Sequence, residues 1–285
     1  IGMDGYSATA AANPTSGYTS NSFYSRPWAT LITFNADGNS SNQHIWNMGE
    51  GSASTDDNIY LRMDANRNLY FGWGRSGALN ECRIWSGMNT SLWWSVYIAH
   101  DGTRLSGSNA TANNLANAFD IRVRVVGGTF SQRSTSGNWI TTGGRMDRSV
   151  TSKFCIGGRE GNRNWHGKVA AMVVTTLRTN VPMPTDAEIE EMATDPVGWL
   201  TDYKVGNPYR GADGVNRSSF SLANTGNYTY ESGATQVWLM GEGTNDSYGN
   251  GIRNQVNPSE QNTSKLNFVG MQSNDIQTVS ITGLP

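Results

Sequence analysis

The sequence predicts an all-β protein, and three observations lead there. Only 15% of its 285 residues are charged, against roughly 25% in an average globular chain. Polarity comes instead from Asn, Ser, Thr and 33 Gly, accompanied by 10 Trp and 11 Tyr. That composition favours short strands and frequent turns, because helices want Ala, Leu, Glu and Lys. Several runs also alternate apolar and polar residues with period two, the pattern of a half-buried strand. The length suits a β-sandwich, a class in which single units of 200 residues or more are common.

Taken in order, residues 1–25 show no sustained period and predict an arm or a loosely packed first strand. Strands are expected at 28–36, 44–50 and 58–65. In the third of these, Ile59, Leu61 and Met63 alternate with Tyr60, Arg62 and Asp64. A turn at Asn66-Arg67-Asn68 leads into a strand at 68–74, and the two together read as a hairpin. Further strands are expected at 81–85, 92–102 and 119–126, the last with Ile121, Val123 and Val125 on one side and Arg122 and Arg124 on the other. Strands at 153–158 and 168–177 follow. One helix is expected from Pro184 to Met192, because Thr185 and Glu188 stand at the reciprocal spacing of a capping box and the first turn is acidic. Asp195-Pro196 ends it. After it the chain becomes rich in Gly, Asn and Ser, with three more strand candidates at 236–243, 265–271 and 275–284. The expected organisation is an arm (1–25), a β domain (26–200) and an extension (201–285) that packs on the domain or on a neighbouring subunit. No repeat of 20–50 residues points to a solenoid or propeller.

Several function classes fall away. The net charge of −2 and pI of about 5.9 come with no basic stripe, so a nucleic-acid groove is not expected. The longest apolar run, at 170–177, is too short to cross a bilayer. A hydrophobic fraction of 36% excludes disorder. No segment reads as a signal peptide, and the opening on Ile1 suits a processed or truncated chain. Cys82 and Cys155 both sit in strand contexts; one bridge or two buried thiols are both compatible with the sequence.

Three segments carry a family resemblance. Ile156-Gly157-Gly158, then Trp165-His166-Gly167-Lys168-Val169, then Pro184 to Ile189 resemble the C-terminal part of the laminin-G-like, concanavalin A-like jelly-roll family. Upstream, Trp94, Val96, His100, Asp101 and Gly102 resemble that family's strand-and-turn motif. The resemblance spans residues 28–196 in the right order. It implies a jelly-roll sandwich of two antiparallel sheets with one short helix. The tail, through Trp238–Gly243, Asn254-Gln255-Val256 and Leu266–Ile276, resembles the end of laminin-G-like virion proteins of bacteriophages from marine and cyanobacterial hosts. That second resemblance implies a non-enzymatic structural protein on a virion surface (capsid decoration, head fibre or tail fibre), forming homo-oligomers and touching other virion proteins. The alternative is a carbohydrate-binding module for attachment to a host-surface polysaccharide.

A polysaccharide-degrading enzyme is the least supported class. Glycosidases of this fold place E-x-D-x-E on one strand, so that both carboxylates share a face, and the motif is absent. Glu188, Glu190 and Glu191 belong to the expected helix and read as its solvated face. Gln43-His44 and Arg159–Arg163 do not have the alternation a lyase site of this fold needs, since adjacent strand residues point to opposite faces. His44, His100 and His166 are too scattered for zinc, and no nucleophile elbow, phosphate loop or dinucleotide fingerprint occurs. No cofactor is expected. A calcium ion is the one metal worth placing, because laminin-G-like domains often hold one at the rim; its candidate ligands are Asp37 with Asn39, Asp56 with Asp57, and Asn245 with Asp246, all of which also suit plain Asx turns. Aromatic candidates for stacking on a sugar or a partner are Trp73, Trp85, Trp93, Trp139 and Trp165. Trp93 and Trp94 are adjacent, so at most one of them can enter the core.

Overall fold

The computed structural model describes residues 2–3, 27–36, 42–49, 58–75, 78–103, 105, 109–141, 153–156, 165–176, 184–196, 209–210, 216–217, 236–240, 252–254 and 266–267. Its strands are β1 (Gly2–Met3), β2 (Pro27–Asn35), β3 (Gln43–Gly49), β4 (Asn58–Met63), β5 (Leu69–Arg75), β6 (Ala78–Trp85) and β7 (Trp93–Asp101). Helix α1 (Ala112–Ala118) precedes β8 (Phe119–Val125), β9 (Ser131–Gln132), β10 (Trp139–Thr141), β11 (Lys153–Ile156) and β12 (Lys168–Thr176). Helix α2 (Asp186–Thr194) is followed by β13 (Tyr209–Arg210), β14 (Asn216–Arg217), β15 (Gln236–Met240), β16 (Ile252–Asn254) and β17 (Leu266–Asn267).

The strands form two antiparallel sheets. The first runs β10-β6-β5-β4-β3-β11-β1-β17 and the second β16-β15-β12-β2-β7-β8-β9; β13 and β14 pair separately. The chain is therefore an all-β sandwich of two antiparallel sheets; its composition and periodicity predict the all-β class, and the jelly-roll arrangement is what the family resemblance implies. The pairing is nested: β2 lies between β7 and β12 while β3 lies between β4 and β11. The two halves of the chain thus interleave in both sheets, and a cut between them would remove a central pairing from each. Beyond the domain, β15 adds to the second sheet beside β12.

Period-two alternation decides what lies between the layers. Ile59, Leu61, Met63, Leu69, Phe71, Trp73 and Cys82 come from the first sheet, and Trp28, Ile32, Phe34, Val96, Ile98, Ile121 and Val123 from the second; all are buried in one core. Aromatic rings knit the layers together. Phe71 meets Trp28 at 6.1 Å and Phe119 at 5.3 Å between ring centroids, and Trp73 stacks on Phe119 at 5.6 Å. A buried ring in such a centre is worth several kcal/mol, since truncating a core Phe or Trp to Ala costs about 3–5 kcal/mol.

The nine strands expected between residues 28 and 177 all appear, each within three residues of its expected ends. The 58–74 hairpin turns where expected: Asp64 Oδ1 accepts from the N–H groups of Asn66 and Asn68 at 2.8 and 2.9 Å, and Arg67 adopts a left-handed φ of 61°. The reciprocal cap of α2 is present too, with Glu188 N–H donating to Thr185 Oγ1 and Thr185 N–H donating to Glu188 Oε2. Not anticipated were α1 and the short strands β9, β10, β13, β14 and β16. Helix α1 buries only Leu115 and Ala118 behind a Thr111 cap, too little apolar surface in seven residues to give a periodic signal.

Candidate functional site

On the first sheet, residues that alternate with the core set face outward. Ile140, Glu81, Gly72, Tyr60 and Asn47 stand abreast on β10, β6, β5, β4 and β3. Beside them, Arg83, Tyr70, Arg62 and His44 form a second row on β6, β5, β4 and β3. Glu81 is the hub. Its Oε1 accepts from Tyr60 Oη at 2.8 Å and Arg62 Nε at 2.7 Å, and its Oε2 accepts from Arg62 Nη2 at 2.8 Å. These partners lie two strands away, so the Glu81 side chain must cross β5. It crosses over Gly72, where a Cβ would sit 2.7 Å from Glu81 Cγ and closer still to the Asn80 carbonyl oxygen. Any side chain there would force the Asn80 backbone and the Glu81 stem to shift.

The electrostatics follow from that hub. Burial pushes the Tyr60 hydroxyl well above its ordinary pKa of 10.0, and the charge of Glu81 adds to the effect. Burial alone would lower the pKa of Arg62; the hydrogen bonds and charge of Glu81 outweigh it and raise it. Arg62 also lies over the Tyr70 ring at 4.4 Å, and His44 packs 5.1 Å from Tyr60. Tyr60, Glu81, His44 and Asn47 are buried, Arg62 and Tyr70 half-buried, and Arg83 exposed. At the end of the first row Ile140 is 55% exposed, the most exposed large hydrophobic among the described residues.

The second sheet's outward face is put to a different use. Arg122 binds Asp120 on its own strand and reaches Asp186 of α2 at 2.6 Å, while Arg124 reaches Glu190 at 2.5 Å. These contacts pin α2 by its acidic face, with Ile189, Met192 and Ala193 buried. The side chains expected to be a solvated helix face therefore include two anchors, Glu190 and the buried cap residue Glu188.

A third cluster lies at the rim where β6 and β9 end. Trp85 is half-buried, 5.1 Å from Trp94, and the Arg133 guanidinium lies 4.5 Å from its ring centre. The Arg133 backbone is fixed on both sides: its N–H donates to Ile121 O at 2.7 Å, and its carbonyl accepts from Asn138 Nδ2 at 2.8 Å and Cys82 Sγ at 3.6 Å.

The five tryptophans singled out from sequence separate into two groups. Trp73 and Trp139 are core residues, packed 5.8 Å apart and against Phe71 and Phe119. This corrects the expectation of surface stacking at those two, because period two turns both rings inward. Trp85, Trp93 and Trp165 are half-buried; Trp165 stands edge-on to Phe34 at 5.5 Å. Trp94, not Trp93, enters the core. The calcium candidates Asp37, Asn39, Asp56, Asp57, Asn245 and Asp246 lie outside the described residues, and among the described residues no three His, Cys, Asp or Glu gather as a metal-binding group. Cys82 is a buried free thiol whose pKa burial pushes up to about 12. Its strand lies four places from that of Cys155 in the same sheet, about 19 Å by strand spacing and far beyond disulfide reach.

No family model matches this chain, and no curated protein sequence matches it. Solved structures similar to it include the CBM40 module of the Ruminococcus gnavus IT-sialidase bound to α2,3-sialyllactose, at 12% identity over 59% of this chain and 83% of that one, TM-score 0.37. Domain 4 of an extracellular arabinanase from Geobacillus stearothermophilus, in complex with arabinotriose, aligns at 11% identity over 59% of this chain and 66% of that one, TM-score 0.37. The LG4-5 domains of the mouse laminin α1 chain align at 10% identity over 65% and 44%, TM-score 0.35. The fold assignment rests on the strand order and the two-sheet core.

Proposed function

We propose that this chain is a non-catalytic carbohydrate-binding module, with its ligand surface on the outward face of the first sheet. The observation that supports it is the layer organised by Glu81. Both carboxylate oxygens already accept hydrogen bonds from Arg62 and Tyr60, so Glu81 is committed to fixing its neighbours and not to moving a proton. What the layer offers outward is the exposed guanidinium of Arg83 beside the Tyr70 ring and the apolar Ile140. A pyranose ring presents the complement, hydroxyls at its edge and C–H groups on its faces.

The test is a glycan array followed by calorimetric titration of the best hits. Arg83→Ala should weaken binding about tenfold and leave thermal stability unchanged; Tyr70→Leu should weaken it about as much and also lower stability modestly, since it removes the ring beneath Arg62; the glycan should be recovered intact. Glycan affinity that survives both substitutions would place the ligand elsewhere, and release of new reducing ends would make the module an enzyme.

A second reading draws on the likeness of residues 236–276 to phage virion proteins: the module sits on a bacteriophage particle as one of several copies, among other virion proteins. Mass spectrometry and antibody labelling of purified particles test it, and both must detect the chain.

A further inference from the structure

Among the described residues three arginines lie over aromatic rings; Arg62 and Arg124 have carboxylate partners there and Arg133 has none. Arg133 is half-buried, its Nε is shut off from solvent, and among the described residues no acceptor meets any of its guanidinium nitrogens. A charged donor held in that condition is costly, because burial removes water without returning a partner. The guanidinium is nevertheless fixed in position. The ring of Trp85 supports one of its faces, and the backbone beneath it is tied to Ile121, Asn138 and Cys82. The two Nη groups, side by side in one plane on a rigid base, are what end-on bidentate recognition of an oxyanion needs.

We propose that Arg133, held on Trp85, is a binding point for an oxyanion of the carboxylate or sulfate class. The site lies at the rim between the ends of β6 and β9, apart from the Glu81 layer, and stands whether or not that layer binds a glycan. The anion meets the N–H edge of Arg133 while the Trp85 ring stays beneath the cation, so binding alters the surroundings of an indole and is visible in its fluorescence. Trp85→Leu removes the support and leaves the charge; Arg133→Lys keeps the charge and removes the fork.

The experiment titrates the whole chain with sodium glucuronate and with sodium sulfate at constant ionic strength, with chloride and glucose as controls. Calorimetry and tryptophan fluorescence provide the readouts. Saturable binding of glucuronate, sulfate or both is expected, absent for chloride and glucose. Glucuronate binding alone points to a carboxylate ligand, and sulfate binding alone to a sulfate ester or the free ion. Arg133→Gln should weaken binding ten- to a hundredfold, with Arg133→Lys and Trp85→Leu in between. If Arg133→Gln does not fold, Arg133→Lys decides, because a fork-dependent site must lose at least severalfold on that change. No saturable binding by the native protein, or equal binding by the folded variants, would overturn the assignment. Neither result touches the Glu81 layer, whose own test uses Arg83 and Tyr70.

Discussion

The outward face of the first sheet and the rim at Trp85 both hold an arginine over an aromatic ring at nearly the same distance, 4.4 Å for Arg62 on Tyr70 and 4.5 Å for Arg133 on Trp85. They differ in what the guanidinium does next. Arg62 spends its fork on Glu81, inside a network that bridges three strands. Arg133 spends none of it on any described residue. Stacking on a ring therefore does not by itself make an arginine structural; the carboxylate does. The first arrangement holds a sheet face in one shape, and the second leaves charge available for something outside the chain.

That contrast predicts unequal costs of mutation. Glu81→Ala should have the largest effect, lowering stability by about 3–5 kcal/mol, because it leaves Arg62 and the Tyr60 hydroxyl unpaired in a mostly dry layer. Denaturant unfolding measures it, and a loss below about 1 kcal/mol would mean the network is not the hub described above. Gly72→Ala should come next, at about 2–3 kcal/mol, since the added methyl meets the Asn80 carbonyl and the Glu81 stem. The pair should be non-additive, because removing Glu81 vacates part of the space the methyl needs. Glu190→Ala, which strips the ion-pair partner from an Arg124 side chain that is only 3% exposed, should cost about 1–3 kcal/mol. Arg133→Gln should change stability by less than about 0.5 kcal/mol, since no protein acceptor is lost.

Much of this was legible in the sequence, and the exceptions have physical causes. Period two in 58–65 and 119–126 alone sets Tyr60 and Arg62, and Arg122 and Arg124, on the face opposite the apolar residues of their strands. Alternation fixes faces, however, and does not say which face is a surface of use. It marked Trp73 and Trp139 as candidates because they are aromatic, although the Phe71-Gly72-Trp73-Gly74 pattern already put both large rings of β5 on the same side and glycine on the other. That glycine was the available signal for a side chain crossing the strand. Glu81 and Tyr60 were missed because their contact spans two strands and 21 residues. Arg133 was missed because sequence shows a charge but not the absence of a partner.

Alkaline titration sharpens the comparison further. Tyr60 in the layer and Cys82 near the rim both have folded pKa values above their unfolded ones, 10.0 and 9.0 respectively, because burial favours the neutral form. The stability these groups contribute is complete below pH 9 and is lost as pH rises through 9 to 12, where the unfolded chain ionises first. Unfolding followed from pH 8 to 11 should show a falling midpoint, less steep in Tyr60→Phe. Cys82 should stay unlabelled by thiol reagents at pH 8 until the chain unfolds.

The smallest expected effect lies at the acid end, in the hairpin turn that leads from β4 to β5. Burial would raise the Asp64 carboxyl, but the hydrogen bonds from Asn68 and Asn66 outweigh it and hold its pKa below 3.8. A carboxylate depressed in this way stabilises the fold above its unfolded pKa and loses that contribution as pH falls through the lower folded value. Asp64→Asn should therefore flatten the stability profile below about pH 4 and leave it nearly unchanged at pH 7 beyond the loss of one charged acceptor. The turn also carries Arg67 at its left-handed φ of 61°, so Arg67→Gly at the same position should be neutral or slightly stabilising, by a few tenths of a kcal/mol. An acid limb that is unchanged in Asp64→Asn would show that this turn does not set it.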